Sequence, residues 1–160
     1  MRKQRVYLET TLFNFYVDKS KGFAHKSTVA LFEEIAAGKY EAFTSTYVTE
    51  ELEAAEEPKR DKMLQLIAEY GIAVLAPSDE AVRIADLYIA ENLIPLKYRM
   101  DALHIAVSTV NDLDMILSMN FQHIVKRKTK IGTGTINALN GYRVVEIYSP
   151  MEVIEGDETS

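Results

Sequence analysis

The chain has 160 residues, 48% apolar and 26% charged, a length and composition suited to one globular domain with a sizeable core. It contains no cysteine, which excludes disulfides, thiolate zinc sites and cysteine nucleophiles. A formal net charge of -6 argues against a protein that coats nucleic acid, but not against a nuclease whose acids gather in one metal-binding cleft.

The charged start, Met1-Arg2-Lys3-Gln4-Arg5, leads into the apolar run Val6-Tyr7-Leu8, too short for a secretory signal. No stretch approaches the length of a membrane span, so the expectation is a soluble cytoplasmic protein with no membrane partner. Arg5–Leu8 reads as the first strand. His25–Gly38 carries Val29, Leu31, Phe32 and Ile35 at helical spacing, with Gly38 as its stop. Ala42–Ser45 is the second strand, followed by helices over Tyr47–Glu57 and Asp61–Tyr70 with Pro58 between them. Ile72–Leu75 is the third strand, and Ser78 caps a helix from Asp79 to about Asn92. Met100–Asn111 is apolar almost all round, the mark of a buried helix. Met115–Ser118 and Arg143–Tyr148 complete the strands. Between these last two lies a helix over Thr129–Leu139, interrupted by Gly132 and Gly134, whose segment reads as a loop or helix boundary. Residues 155–160 read as a flexible tail.

Strands that alternate with helices, and that are nearly continuous apolar runs, imply a mainly parallel sheet covered on both faces in a single α/β domain. In such sheets functional groups collect beyond the carboxyl ends of the strands. Glu9 directly follows the first strand, and Glu50 and Glu51 lie about a turn into the helix after the second. Asp101 opens the buried helix, Asn120 follows the fourth strand, and Asp114 stands at that strand's beginning.

Two carboxylates about 4 Å apart repel by roughly 4 kcal/mol at an effective dielectric of 20, so a cluster of them needs protons, water or a cation. Oxygen ligands suit Mg²⁺ or Mn²⁺, and a water on such an ion becomes a nucleophile. Each acid alone also has a plainer role. Glu9 could be a solvated strand end, Glu50 or Glu51 part of a solvated helix face with Glu53, Glu56 and Glu57, and Asp101 a helix cap. His104 is either a ligand or proton carrier beside Asp101, or a hydrogen-bonded core histidine. The basic run Lys126, Arg127, Lys128 and Lys130 could hold RNA phosphates near the acids or form a solvated loop. Gly132-Thr-Gly134-Thr135 matches no nucleotide fingerprint, and no G-x-S-x-G element is present.

The chain resembles the PIN-domain family, particularly its VapC-like toxin branch. The parts that carry the likeness are Val6-Tyr7-Leu8-Glu9-Thr10-Thr11, Thr44-Ser45-Thr46-Tyr47-Val48-Thr49-Glu50-Glu51-Leu52, Asp101-Ala102-Leu103-His104-Ile105-Ala106 and Asp114 through Ile124. Ile136-Asn137, Gly141-Tyr142 and Ser149-Pro150 extend it. The resemblance implies a three-layer α/β/α fold and a Mg²⁺- or Mn²⁺-dependent endoribonuclease acting on RNA. Such proteins commonly serve as toxins restrained by an antitoxin protein and often form homodimers. Glu9 takes the place of the usual first Asp, Glu51 matches the second acid with Glu50 as the register alternative, and Asp101 matches the third. At the fourth position Asn120 stands where many relatives have Asp, and Asp114 is the nearest acid. Thr10 and Ser118 match hydroxyl positions that hold waters or ligands. The resemblance thus implies catalysis by Glu9, Glu51 and Asp101, with metal held by Glu9, Asp101, Asn120 and Asp114.

Overall fold

The three apolar residues Val6, Tyr7 and Leu8 are wholly shielded from solvent, because the strand they form lies at the centre of a sheet. That strand, β1 (Gln4–Leu8), pairs on one side with β2 (Tyr40–Ser45) and on the other with β4 (Met115–Leu117). β3 (Ala73–Leu75) and β5 (Glu146–Tyr148) form the edges, giving the order β3-β2-β1-β4-β5 with every pair parallel. The register sets Val6 between Ala42 and Met115. Both edge strands are short, which limits the unpaired backbone they present. This computed structural model describes residues 2–155; of the tail expected over 155–160, all but Glu155 lies outside them.

Eight helices flank the sheet among the described residues. α1 (Thr10–Val17) and α2 (Phe23–Ala36) link β1 to β2, and α3 (Thr46–Glu53) and α4 (Lys59–Glu69) link β2 to β3. α5 (Asp79–Ala90) and α6 (Arg99–Val110) carry the chain back across the sheet to β4. α7 (Arg127–Leu139) joins β4 to β5, and α8 (Pro150–Val153) closes the order. Most helix contacts fall within a group of α1 to α4 with α8 or within a group of α5 to α7, while α3 also touches α6, and the helices form the outer layers of an α/β/α fold. No helix among the described residues is long and apolar enough to cross a membrane.

Ser78 caps α5 as its sequence predicts, its Oγ accepting from the Ala81 N–H at 3.1 Å. Residues Ala102 to Thr109 of α6 are all buried, so its uniformly apolar sequence reflects packing on every side. α1 was not predicted. Its sequence, TTLFNFYV, is β-branched and aromatic, with weak intrinsic helix preference. Burial of Leu12 and Phe13 and a cap from the Glu9 side chain to the Thr11 N–H override that preference.

α7 corrects the expected loop at Gly132 and Gly134, which lie inside it. A Cβ at position 132 would fall 2.2 Å from Leu93 Cδ2, so glycine there leaves the space that Leu93 occupies. The fifth strand begins at Glu146, three residues later than the pattern suggests, and the Arg143 guanidinium instead bonds Asp112 and Asp114.

Asp114 lies at the amino end of β4, where it accepts from the Arg5 N–H at 2.7 Å, Arg2 at 3.1 Å and Arg143 at 3.2 Å. Burial alone would raise its carboxyl, but the Arg5 N–H, Arg143 and Arg2 outweigh it and hold the group below its ordinary 3.8. The folded chain therefore binds this proton less tightly than the unfolded chain. The resulting stability is complete above 3.8 and fades as pH falls through and below it. Asp114→Asn is expected to cost about 1–2 kcal/mol near neutral pH. Urea denaturation of both proteins should show that gap narrowing as the pH is taken down through the carboxylate range.

Candidate functional site

The chain leaves β1 for β2 on one side and returns to β4 on the other, so the strand order reverses between β1 and β4. Loops diverge at such a point, and side chains from several of them share the carboxyl end of the sheet. Glu9 occupies it. Its backbone N–H donates to Leu117 O at 3.1 Å, fixing the end of β1 to the end of β4. The Glu9 residue is only 3% exposed. Its Oε1 accepts from Ser118 Oγ at 2.6 Å, Thr11 Oγ1 at 2.5 Å and the Thr11 N–H at 3.2 Å. Those two hydroxyls accept in turn from the backbone N–H groups of Asn120 and Met119. Oε2 has no protein partner among the described residues, yet it is not fully enclosed, so it reaches the open end. Burial raises the Glu9 carboxyl, against the opposing pull of the His104 charge and the Ser118 and Thr11 bonds.

Glu51 approaches from α3. Its Oε1 accepts from Thr10 Oγ1 at 2.6 Å and from His104 Nε2 at 2.7 Å. His104 is fully buried in α6, with Nδ1 2.7 Å from the Tyr7 hydroxyl, which lies 2.7 Å from Ser45 Oγ. The carboxylate requires a proton on Nε2. A neutral ring then accepts at Nδ1 from Tyr7, whereas a charged ring donates there and Tyr7 turns its proton to Ser45, so the chain of bonds is satisfied in both states. Burial pushes His104 down, but the Glu51 bond and the charges of Glu9, Glu51 and Asp101 outweigh it and raise the ring. For Glu51, burial is likewise outweighed, by the bond and charge of His104 and by Thr10, and the carboxyl is lowered. His104 is thus a hydrogen-bonded core histidine that reaches the site through Glu51.

Asp101 lies about one turn before His104 and is half-buried. Burial raises its carboxyl, opposed by the His104 charge, a hydrogen bond with Asn120 and the His123 charge, while Glu51 adds to the rise. Asn120 Oδ1 accepts from the His123 N–H at 3.0 Å. The oxygen expected to reach a metal is therefore committed to the His123 backbone.

Glu9, Glu51 and Asp101 meet around His104, with Thr10 and Ser118 as their hydroxyl donors. Glu50 is exposed and outside this network, which leaves the register on Glu51. Asp114, expected among the metal ligands, is at the far end of β4 and committed to arginines. Lys126 is the N-cap residue of α7, Arg127 and Lys128 are exposed, and Lys130 leans over the Tyr148 ring at 5.3 Å. Thr11, Tyr7 and Ser45 were not expected. Thr11 could have been found beside the matched Thr10, but Tyr7 and Ser45 read as ordinary strand residues.

Among the described residues no three His, Asp or Glu side chains form a ready-made metal cage. Mg²⁺ does not need one, since it commonly takes one or two carboxylates and keeps several waters. Glu9 and Asp101 supply hard oxygens, both with burial disfavouring their charge, and Glu9 Oε2 is free of protein bonds, so the donor set fits such an ion. Glu9→Gln keeps an oxygen for Thr11 and Ser118 and removes a desolvated charge. In metal-free buffer its melting temperature should rise by about 2–4 °C, the value of 1 kcal/mol in a domain of this size, as read by calorimetry. No protein-family model matches the chain, and no curated protein matches it.

Proposed function

We propose that this chain is a metal-dependent endoribonuclease of the PIN type that cuts RNA phosphodiester bonds in the cytoplasm. The observation that carries the reading is Glu9, a buried carboxylate without a contacting protein cation, at the strand switch point and in one charge network with Glu51 and Asp101. Glu9 and Asp101 would hold Mg²⁺ or Mn²⁺. Bound there, the ion would lower the pKa of a water and neutralise charge on a phosphoryl oxygen.

The chain's own residues supply the rest. Ser118 and Thr11 fix Glu9 Oε1, so Oε2 is the oxygen aimed at the carboxyl end of the sheet. Thr10 and His104 do the same for Glu51, holding it ionised. Its Oε2 is then available to orient the attacking water and accept its proton. The toxin role implied by the resemblance belongs to the same proposal, and a short antitoxin-like reading frame directly upstream is the mark of that context.

Mn²⁺-stimulated cleavage of structured RNA, abolished by chelator, is the expected activity. Asp101→Asn and Glu51→Gln should each reduce it by about 100-fold or more. Full activity in Asp101→Asn would remove the assignment.

One observation favours a second reading, a noncatalytic module that binds RNA or a protein partner: Asn120 spends its oxygen on His123 and leaves fewer ligands at the site. Calorimetric titration with Mn²⁺ separates the two. Heat that disappears in Asp101→Asn supports the enzyme, and an absence of heat from the unaltered protein supports the module.

A further inference from the structure

Two buried hydroxyls stand behind the acids and take no part in the proposed chemistry. Tyr7 of β1 and Ser45 of β2 are both fully shielded from solvent, so neither touches a bound strand. The Tyr7 hydroxyl lies 2.7 Å from Ser45 Oγ and 2.7 Å from His104 Nδ1. His104 Nε2 in turn lies 2.7 Å from Glu51 Oε1, so a continuous row of hydrogen bonds runs from the centre of the sheet to Glu51.

Packing alone does not call for this row. Phenylalanine at position 7 would fill the same space, and a buried hydroxyl is costly unless it is bonded. Burial raises the Tyr7 hydroxyl well above its ordinary 10.0, so it keeps its proton and acts by turning it. An imidazole bonded at one nitrogen swings about that bond. Bonded at both it is fixed, and so is the carboxylate oxygen it meets. The groups that face His104 are Glu51 from α3 and Tyr7 from β1, with charge from Glu9 after β1 and from Asp101 in its own helix. Tyr7 completes the bonding of the ring, and Ser45 lets Tyr7 turn either way.

We propose that Tyr7 and Ser45 are positioning residues that act through His104 to hold the Glu51 carboxylate in place. The role of Glu51 as base rests on the nuclease reading, whereas the coupling of Tyr7 to His104 does not.

The test uses the full chain with Tyr7→Phe and Ser45→Ala. Without metal or RNA, the ¹⁵N shifts of the His104 ring follow its charge as pH is varied. With Mn²⁺ and structured RNA, kcat and KM are read separately over the same range. Tyr7→Phe leaves the Nδ1–H of a charged ring without an acceptor, so the pH at which the ring loses its charge should fall by about one unit. A ring that charges less readily no longer lowers the Glu51 carboxyl, so the acid limb of kcat should move to higher pH. At the optimum kcat should fall about ten-fold with KM unchanged. Ser45→Ala should move ring and limb in the same directions by less, and it carries the test should Tyr7→Phe fail to fold. A lowered melting temperature with ring and limb unmoved marks a structural role only and overturns the proposal. An absence of cleavage in the unaltered chain would overturn the nuclease reading and this role together; cleavage with ring and limb unmoved in both variants overturns this role alone.

Discussion

A carboxylate at the end of a buried parallel strand loses most of its hydration, and something must compensate. For Glu9 that compensation is assembled from far along the chain: Ser118 follows β4, Thr11 opens α1, and His104 contributes charge from α6. Neutral donors satisfy one oxygen without cancelling the charge. The structure thus tolerates a concentrated negative potential at the carboxyl end of the sheet. His104 limits its size, because three carboxylates raise the affinity of the ring for a proton while the ring holds Glu51 ionised.

Strand order makes this arrangement available. Placing β1 between β2 and β4 brings the segments after those strands to neighbouring positions, and α6 enters from the return crossover. The same bonds serve fold and site. Glu9 joins β1 to the segment after β4 through its backbone and its side chain, and Tyr7 ties β1 to Ser45 of β2 and His104 of α6. Rigidity at this end therefore comes from the sheet and not from loops, which suits a site that must hold charges at fixed separations.

The fold was legible wherever burial leaves a local pattern. Val6-Tyr7-Leu8 and Met115-Ile116-Leu117 are continuous apolar runs because both faces of those strands are covered. α1 was not legible, since its helix exists through tertiary burial against its own propensities. Glycine in α7 misled for a related reason: the steric demand comes from Leu93, remote in sequence. At the site, Glu9, Glu51 and Asp101 could be named from their places after strands and at a helix start. Their partners could not, because a hydroxyl such as Ser118 shows its role only once it meets a carboxylate 109 residues away. Asp114 misled because proximity in sequence to β4 does not say which end of the strand faces the acids.

The fit of Leu93 against Gly132 also acts as a spacer. Leu93 belongs to the segment between α5 and α6 that borders a cavity beside His123, and Gly132 lies one turn or so along the helix whose amino end completes it. The missing methyl group sets how closely those two segments approach. The width of the opening is thereby governed at a position with no direct part in it, and a change of one residue there would alter that width while leaving every polar group in place.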